Sequence, residues 1–377
     1  MNSSPHYHGD WATMADQIVN RTLAVQAGER VLIWADPTLL PELTEQVRIE
    51  VVRAGAVEVA TALFNSPALE QYRKLHRRRE DPDLRRLEDE VLAKVFEVVD
   101  VFVWLPNQWA HNLLQTEGIL STWPGRSVHF HWVPGWWPWG VDSALFERLS
   151  AMYEQALDID YEAMARRQRV AIQLLATSDV HVTTPRGTDL RFRLSGAHFH
   201  QNDGIASREA VAAKARGGSA RDREEELPAG VIRTVDVQDA EGILVVPNET
   251  YPAWIGRQVG DMTFEFRDDR VVRFDTQYHK DYVRAMWDQE TGVKDRIGEF
   301  ILGFNPALTL LPGHHDDGII PYFGFGDGVV RFSMGYNVES GGTNETSFFH
   351  NWLFLTDATV SANGVPLVKE GRLVLET

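Results

Sequence analysis

"DVHVTTPRGTDLRFRLSG", residues 179–196, marks the point where the chain changes character. On both sides of Pro185-Arg186-Gly187-Thr188, apolar and polar residues alternate with the period of a half-buried strand. A short Gly-containing turn between two such runs makes this a β-hairpin. Downstream the pattern repeats in "EGILVVPN" (241–248), "DMTFEFRDDRVVRFD" (261–275), "GVVRFSMGYN" (328–337) and "LFLTDATVSANGVPLVKEGRLVLE" (353–376). A helical stretch, "HKDYVRAMWDQETGVKDRIGEF" (279–300), interrupts it.

Upstream of the hairpin, strand and helix patterns alternate. "AGERVLIWADP" (27–37), "VEVATALF" (57–64) and "VDVFVWLP" (99–106) read as buried strands. Between them, "LLPELTEQVRIEVVRAGA" (39–56) reads as an amphipathic helix that stops at Gly55, and "LRRLEDEVLAKVFEVV" (84–99) as another helix. Such alternation implies βαβ units and a mostly parallel sheet. A long helical pattern, residues 143–178, separates the two styles. The expected fold is an α/β amino-terminal domain with a mostly parallel sheet over residues 1–175. An α+β domain rich in antiparallel strands follows over 176–377.

Bulk properties exclude several functions. The 377 residues carry a net charge of −17, which opposes binding to nucleic acid or an anionic membrane. The absence of cysteine removes disulfides, thiolate metal sites and a Cys nucleophile. The first residues, "MNSSPHYHGDWATMADQ", lack the basic start and apolar run of a signal peptide, and no stretch reaches the roughly 20 apolar residues of a membrane span. A cytoplasmic protein acting on a small molecule is the expectation, with "HYHGDW" (6–11) as a mobile tail or surface contact. No GxGxxG or Walker loop follows the early strands, which argues against a nucleotide cofactor.

Seven of the twelve tryptophans fall within residues 104–139. They have two readings: core strand and packed loop, or an aromatic pocket in which flat rings stack on substrate. On the pocket reading, Trp109 and Trp137 line it. His129 and His131, two apart on one strand in "SVHFHWVPGWWPWG" (127–140), share a face and present two imidazoles to it.

Six blocks carry a family resemblance: "AVQAGERVLIWA" (24–35), "VHVTTPRGTDLRFRL" (180–194), "ELPAGVIRTVDVQDAEGILVV" (226–246), "IGEFILGFNP" (297–306), "ESGGTNETSFFHNW" (339–352) and "NGVPLVKEGRLV" (363–374). In that order they resemble the aminopeptidase T family of metallopeptidases, and also the 2,5-dihydroxypyridine dioxygenases that share its fold. The resemblance implies a homodimer and a metal site on the second domain. It implies ligands at Val231, Glu299, Arg331, His350 and Trp352, of which only Glu299 and His350 can ligate. A two-metal hydrolase needs bridging carboxylates, and an oxygenase iron needs three ligands on one face. The family's metal site therefore reads as dismantled, and the cofactor is left open. A remodelled single divalent-metal site would draw on Glu299 and His350 with His314 and His315 from "PGHHDDG" (312–318), a run that otherwise reads as an exposed polar turn.

The surviving groups define the functional expectation. Glu299 and His350 would act as general acid and base on water, Arg331 would hold an anionic or carbonyl oxygen, and Trp352 would add an aromatic wall. This set suits hydrolysis of an amide, ester or ring bond in a small aromatic or heteroaromatic compound, possible without metal. The alternatives are an iron-dependent ring-cleaving dioxygenase with non-standard ligands, and a catalytically inactive ligand-binding or scaffold protein.

Overall fold

The computed structural model describes residues 7–35, 40–63, 90–106, 119–132, 143–214, 219–246, 261–310, 324–345 and 350–375, with the backbone alone at 62, 63, 143, 286 and 350–352. The chain divides into two compact units, Met1–Leu157 with Gly204–Pro228, and Asp158–Asp203 with Ala229–Thr377. The 175/176 boundary read from sequence falls inside the second unit, and the first recruits a segment from beyond it.

The first unit holds a sheet of five parallel strands: β1 (Arg30–Ala35), β2 (Val57–Leu63), β3 (Val101–Trp104), β4 (Arg126–Phe130) and β8 (Glu224–Leu227), in the order β2-β1-β3-β4-β8. The apolar runs explain the inner strands, since β3 and β4 are buried along their whole length. Helix α2 (Pro41–Arg53; α1 is Trp11–Asp16) links β1 to β2, starting on a proline suited to a first helical turn. Leu32, Trp34, Phe96, Val99, Phe102, Trp104, Leu120 and Trp123 form one apolar cluster. Within it the Trp123 indole N–H donates to the Val99 carbonyl at 2.9 Å.

The three tryptophans of the run that lie among the described residues are therefore core. Trp104, Trp123 and Trp132 are all buried. Trp132 packs on Tyr7, Trp11 and Tyr153, at centroid distances of 5.8, 5.7 and 5.9 Å. Of the two readings of residues 6–11, that contact favours a packed contact over a mobile tail from Tyr7 onward. The Tyr7 hydroxyl donates to Glu154, and the Asp10 side chain accepts from the Thr13 N–H, capping α1. Burial and the neighbouring Glu154 carboxylate push the Tyr7 hydroxyl pKa up.

The long helical pattern splits into Ser143–Leu157 (α3) and Tyr161–Leu175 (α4). Asp160 begins the second helix by accepting from the Ala163 N–H at 2.8 Å. In the second unit, the hairpin of β5 (Thr177–Thr183) and β6 (Asp189–Ser195) is paired as the alternation requires. It sits in an eight-stranded antiparallel sheet that includes β10 (Gln238–Val246), β11 (Met262–Arg267) and β12 (Arg270–Thr276). A second antiparallel sheet has five strands: β7 (His200–Asn202), β9 (Val231–Thr234), β13 (Ile297–Gly303), β14 (Val330–Gly335) and β15 (His350–Leu355), ordered β15-β14-β13-β9-β7. Phe192 of β6 meets Phe300 and Phe332 at 5.2 and 5.9 Å, so one face of the five-stranded sheet packs on the eight-stranded one.

Candidate functional site

Strand alternation puts Phe300 and Leu302 of β13, and Phe332 and Met334 of β14, on the packed face. The opposite face then carries Glu299 and Ile301 of β13, and Arg331 and Ser333 of β14. Register extends this face across the sheet. His200 pairs with Arg233, Arg233 with Ile301, and Ile301 with Arg331. Arg233 and Arg331 thus flank Ile301 at two strand spacings, roughly 10 Å. Two residues along β13, Glu299 pairs with Ser333, which pairs in turn with Trp352. Val231 pairs with Gly303, and His350 with Gly335.

All five positions that the resemblance assigned to ligands therefore belong to one face of one sheet by register. The description covers the backbone of His350 and Trp352. Trp109, Trp137, His314, His315, Asp316 and Asp317 lie outside the described residues.

Glu299 is fully buried. Ser333 Oγ donates to its Oε2 at 2.7 Å, Ser340 Oγ donates to Oε1, and Arg331 Nη2 stands 3.6 Å from Oε2. Ser340 closes a short 3-10 turn, Val338–Ser340, and its carbonyl accepts from His200 Nε2 at 2.9 Å. Asn337 braces the turn: its Nδ2 donates to the Gly298 carbonyl at 3.0 Å and its Oδ1 accepts from the Asn344 N–H at 2.8 Å. Gly342 must be glycine here, because a Cβ would lie 2.1 Å from Asn337 Oδ1. Arg233 lies 5.9 Å from the Phe325 ring centroid, a cation–π distance. A polar cavity of about 290 Å³ adjoins the turn, lined by Asp236, Asp269, Arg296, Asn337, Gly341 and Asn344, among others.

The donor set does not fit a pair of metal ions. Val231 offers no donor, and Arg331 brings a permanent cation to 3.6 Å from the one surviving carboxylate. Sequence reasoning reached Glu299 and Arg331 but missed His200, Arg233, Ser333 and Ser340. Alternation within "VIRT" (231–234) and "RFSMG" (331–335) was the available signal for Arg233 and Ser333.

The two imidazoles proposed for the pocket, His129 and His131, are buried in the first unit, with His131 just beyond β4. Register sets Trp104 on one side of His129 and Glu226 on the other. The Trp104 ring stacks on His129 at 3.8 Å and 3°, and His129 lies 3.8 Å from His131. One ligand-type atom each from His129, His131 and Glu226 lies within 4.8 Å of the others. His131 Nε2 is 3.9 Å from Glu226 Oε1, and Arg221 Nη1 is 3.2 Å from the same oxygen. Glu226 was not foreseen as part of any site.

Comparison with known proteins supports the fold. No family model matches the chain. No curated protein sequence matches it significantly. Among solved structures it is similar to the 2,5-dihydroxypyridine dioxygenase from Pseudomonas putida KT2440, with a TM-score of 0.64, 17% identity and coverage of 99% of each chain. It is also similar to AmpT (aminopeptidase T) from Thermus thermophilus, with a TM-score of 0.67 and 17% identity over 97% of this chain and 99% of that one. Both neighbours are enzymes, and at this identity the likeness establishes a shared fold.

Proposed function

We propose that the chain is a hydrolase for a small aromatic or heteroaromatic substrate bearing an anionic or carbonyl group, acting at an amide, ester or ring bond without the two-metal chemistry that the resemblance to the aminopeptidase T family implies. One observation carries this reading: the buried Arg331–Glu299–Ser333–Ser340 network, in which a guanidinium stands beside a fixed carboxylate on the sheet face. Buried guanidinium groups bind oxyanions through a planar fork of donors, and the low-dielectric setting strengthens that interaction.

In this mechanism Arg331 holds the substrate oxygen on which negative charge develops. His350 and Glu299 form the acid–base pair. One takes a proton from water as the hydroxide adds to the acyl carbon, and the proton is delivered to the leaving group as the bond breaks. Ser333 and Ser340 are positioning residues that fix the Glu299 carboxylate. Arg233, at 3% exposure on the same face, supplies a second buried cation for a substrate carboxylate.

The test is a screen of small aromatic amides, esters and lactams, read by chromatography, with oxygen uptake followed in parallel. Turnover that falls at least 100-fold in Arg331→Met and His350→Ala, with no oxygen consumed, supports the reading. Oxygen consumption coupled to ring opening would replace it with a dioxygenase. Tight ligand binding with no turnover in any variant would replace it with a binding protein.

A further inference from the structure

We propose a second site, in the first unit: a mononuclear transition-metal centre of the zinc class held by His129, His131 and Glu226. Three independent features of the fold build it. His131 follows the last residue of β4, and its ring centroid lies 3.8 Å from that of His129. The parallel register of β4 with β8 puts Glu226 directly beside His129. Face-to-face stacking by Trp104 then fixes the plane of the His129 ring.

The position fits a ligand site. His129 and Glu226 are each the last residue but one of their strands, and His131 lies just past the end of β4. Open parallel sheets bind ligands beyond the carboxyl ends of their strands. All three side chains are buried, with exposures of 9%, 3% and 8%.

The donor set selects the ion. Two imidazole nitrogens and one carboxylate oxygen suit zinc, iron(II), cobalt or manganese, and are poor for calcium or magnesium, which take oxygen donors. The 3.9 Å separation of His131 Nε2 and Glu226 Oε1 needs only a small contraction to reach the roughly 3.4 Å edge set by ~2.1 Å metal bonds. Arg221 is the competing cation at Glu226, but it also pairs with Glu224. An arriving ion would displace the guanidinium toward that second carboxylate.

This site uses residues of the first unit alone and shares none with the set assigned to hydrolysis, so the two proposals can fail independently. The experiment uses the untagged full-length chain, stripped with chelator and titrated with zinc sulfate, with bound metal measured by elemental analysis after desalting. Cobalt(II) absorption in the visible provides a second readout of nitrogen coordination. The expected result is one equivalent of zinc, retained in Glu299→Gln and His350→Ala. Affinity should fall at least 10-fold in Glu226→Gln, and further in His129→Ala. Glu226→Gln keeps the size of the side chain, and a thermal melt matching the parent separates lost ligation from misfolding. Zinc retained by a His129→Ala/His131→Ala/Glu226→Gln triple variant would overturn the proposal. So would zinc lost from a Glu299→Gln or His350→Ala variant that still shows a cooperative thermal melt, or no binding by the parent chain.

Discussion

In the parallel sheet of the first unit, the polar groups capable of chemistry stand at the strand ends. In the five-stranded antiparallel sheet of the second, they lie across a whole face. The difference follows from how each sheet is covered. Strands β3 and β4 of the parallel sheet are buried along their length, so polar groups gather at the strand ends: Glu29 and Arg126 at the amino ends of β1 and β4, and His129, His131 and Glu226 at the carboxyl ends of β4 and β8. The antiparallel sheet spends one face on apolar packing through Phe300 and Phe332. Its other face can carry a row of polar groups, and His200, Arg233, Arg331 and Glu299 occupy it.

The contrast predicts unequal costs for removing a carboxylate. Glu299→Gln leaves the Arg331 guanidinium without that counter-charge in a fully buried setting, and breaking such a pair costs about 3–5 kcal/mol. Glu226→Gln at the strand ends should cost much less, because Arg221 keeps Glu224. Denaturant melts of the two variants measure the difference. Equal costs would break the comparison. A double variant, Glu299→Gln with Arg331→Met, should recover much of the loss, since a neutral pair has no buried charge to compensate.

Next in size are the hydroxyls. Ser333→Ala and Ser340→Ala each remove a hydrogen bond to the Glu299 carboxylate, worth about 1.5–3 kcal/mol for a charged acceptor. If Ser333 and Ser340 only position Glu299, both variants should lower kcat with little change in KM. A change confined to KM would instead assign these hydroxyls to substrate contact.

How much of this could be read in the sequence depends on which signal each feature used. The hairpin at 179–196 and the inner parallel strands were legible because period-two alternation and short apolar runs report burial directly. Strand β8 was not. Its sequence, Glu-Glu-Glu-Leu, has poor strand propensity, and only tertiary partners make it viable. Glu224 takes Arg221, Glu225 takes Lys214 at 2.7 Å and the Gly204 N–H at 2.8 Å, and Glu226 takes Arg221. The Glu226 part of the candidate metal site was invisible for the same reason. At the sheet face, Glu299 and Arg331 were found through the resemblance. His200 and Ser340 were missed because a three-stranded-pair register and a turn bring them in, and neither leaves a periodic trace.

A step smaller than either of these is the removal of one aromatic hydrogen bond from the first unit's core. Trp123→Phe keeps most of the ring packing against Phe96, at 5.2 Å, but deletes the donor to the Val99 carbonyl. A loss of about 1–2 kcal/mol is expected, combining an unsatisfied carbonyl with a modest cavity. A negligible loss would mean that this tryptophan is tolerated rather than required, and would reopen the aromatic run to a binding role.

The smallest effect expected near neutrality lies in the acid limb of stability. Glu29 is buried beside Arg126, which donates from Nη1 and Nη2 at 2.8 and 2.7 Å, and beside Arg208, which donates at 2.6 Å. Burial pushes its carboxyl up, but the hydrogen bonds from Arg126, the Gln26 N–H and Arg208 outweigh that and hold its pKa below the ordinary carboxylate value. A depressed folded-state pKa means the unfolded chain binds the proton more readily. The pair therefore contributes its full stability above the unfolded-state value and loses it as pH falls through the folded one. Between pH 6 and 8 Glu29 should add no slope to the melting temperature. Below the ordinary carboxylate range the parent should lose stability faster than Glu29→Gln, whose amide cannot titrate. Parallel slopes for the two proteins in acid would show that the Glu29–Arg126 pair does not contribute to the acid sensitivity of the chain.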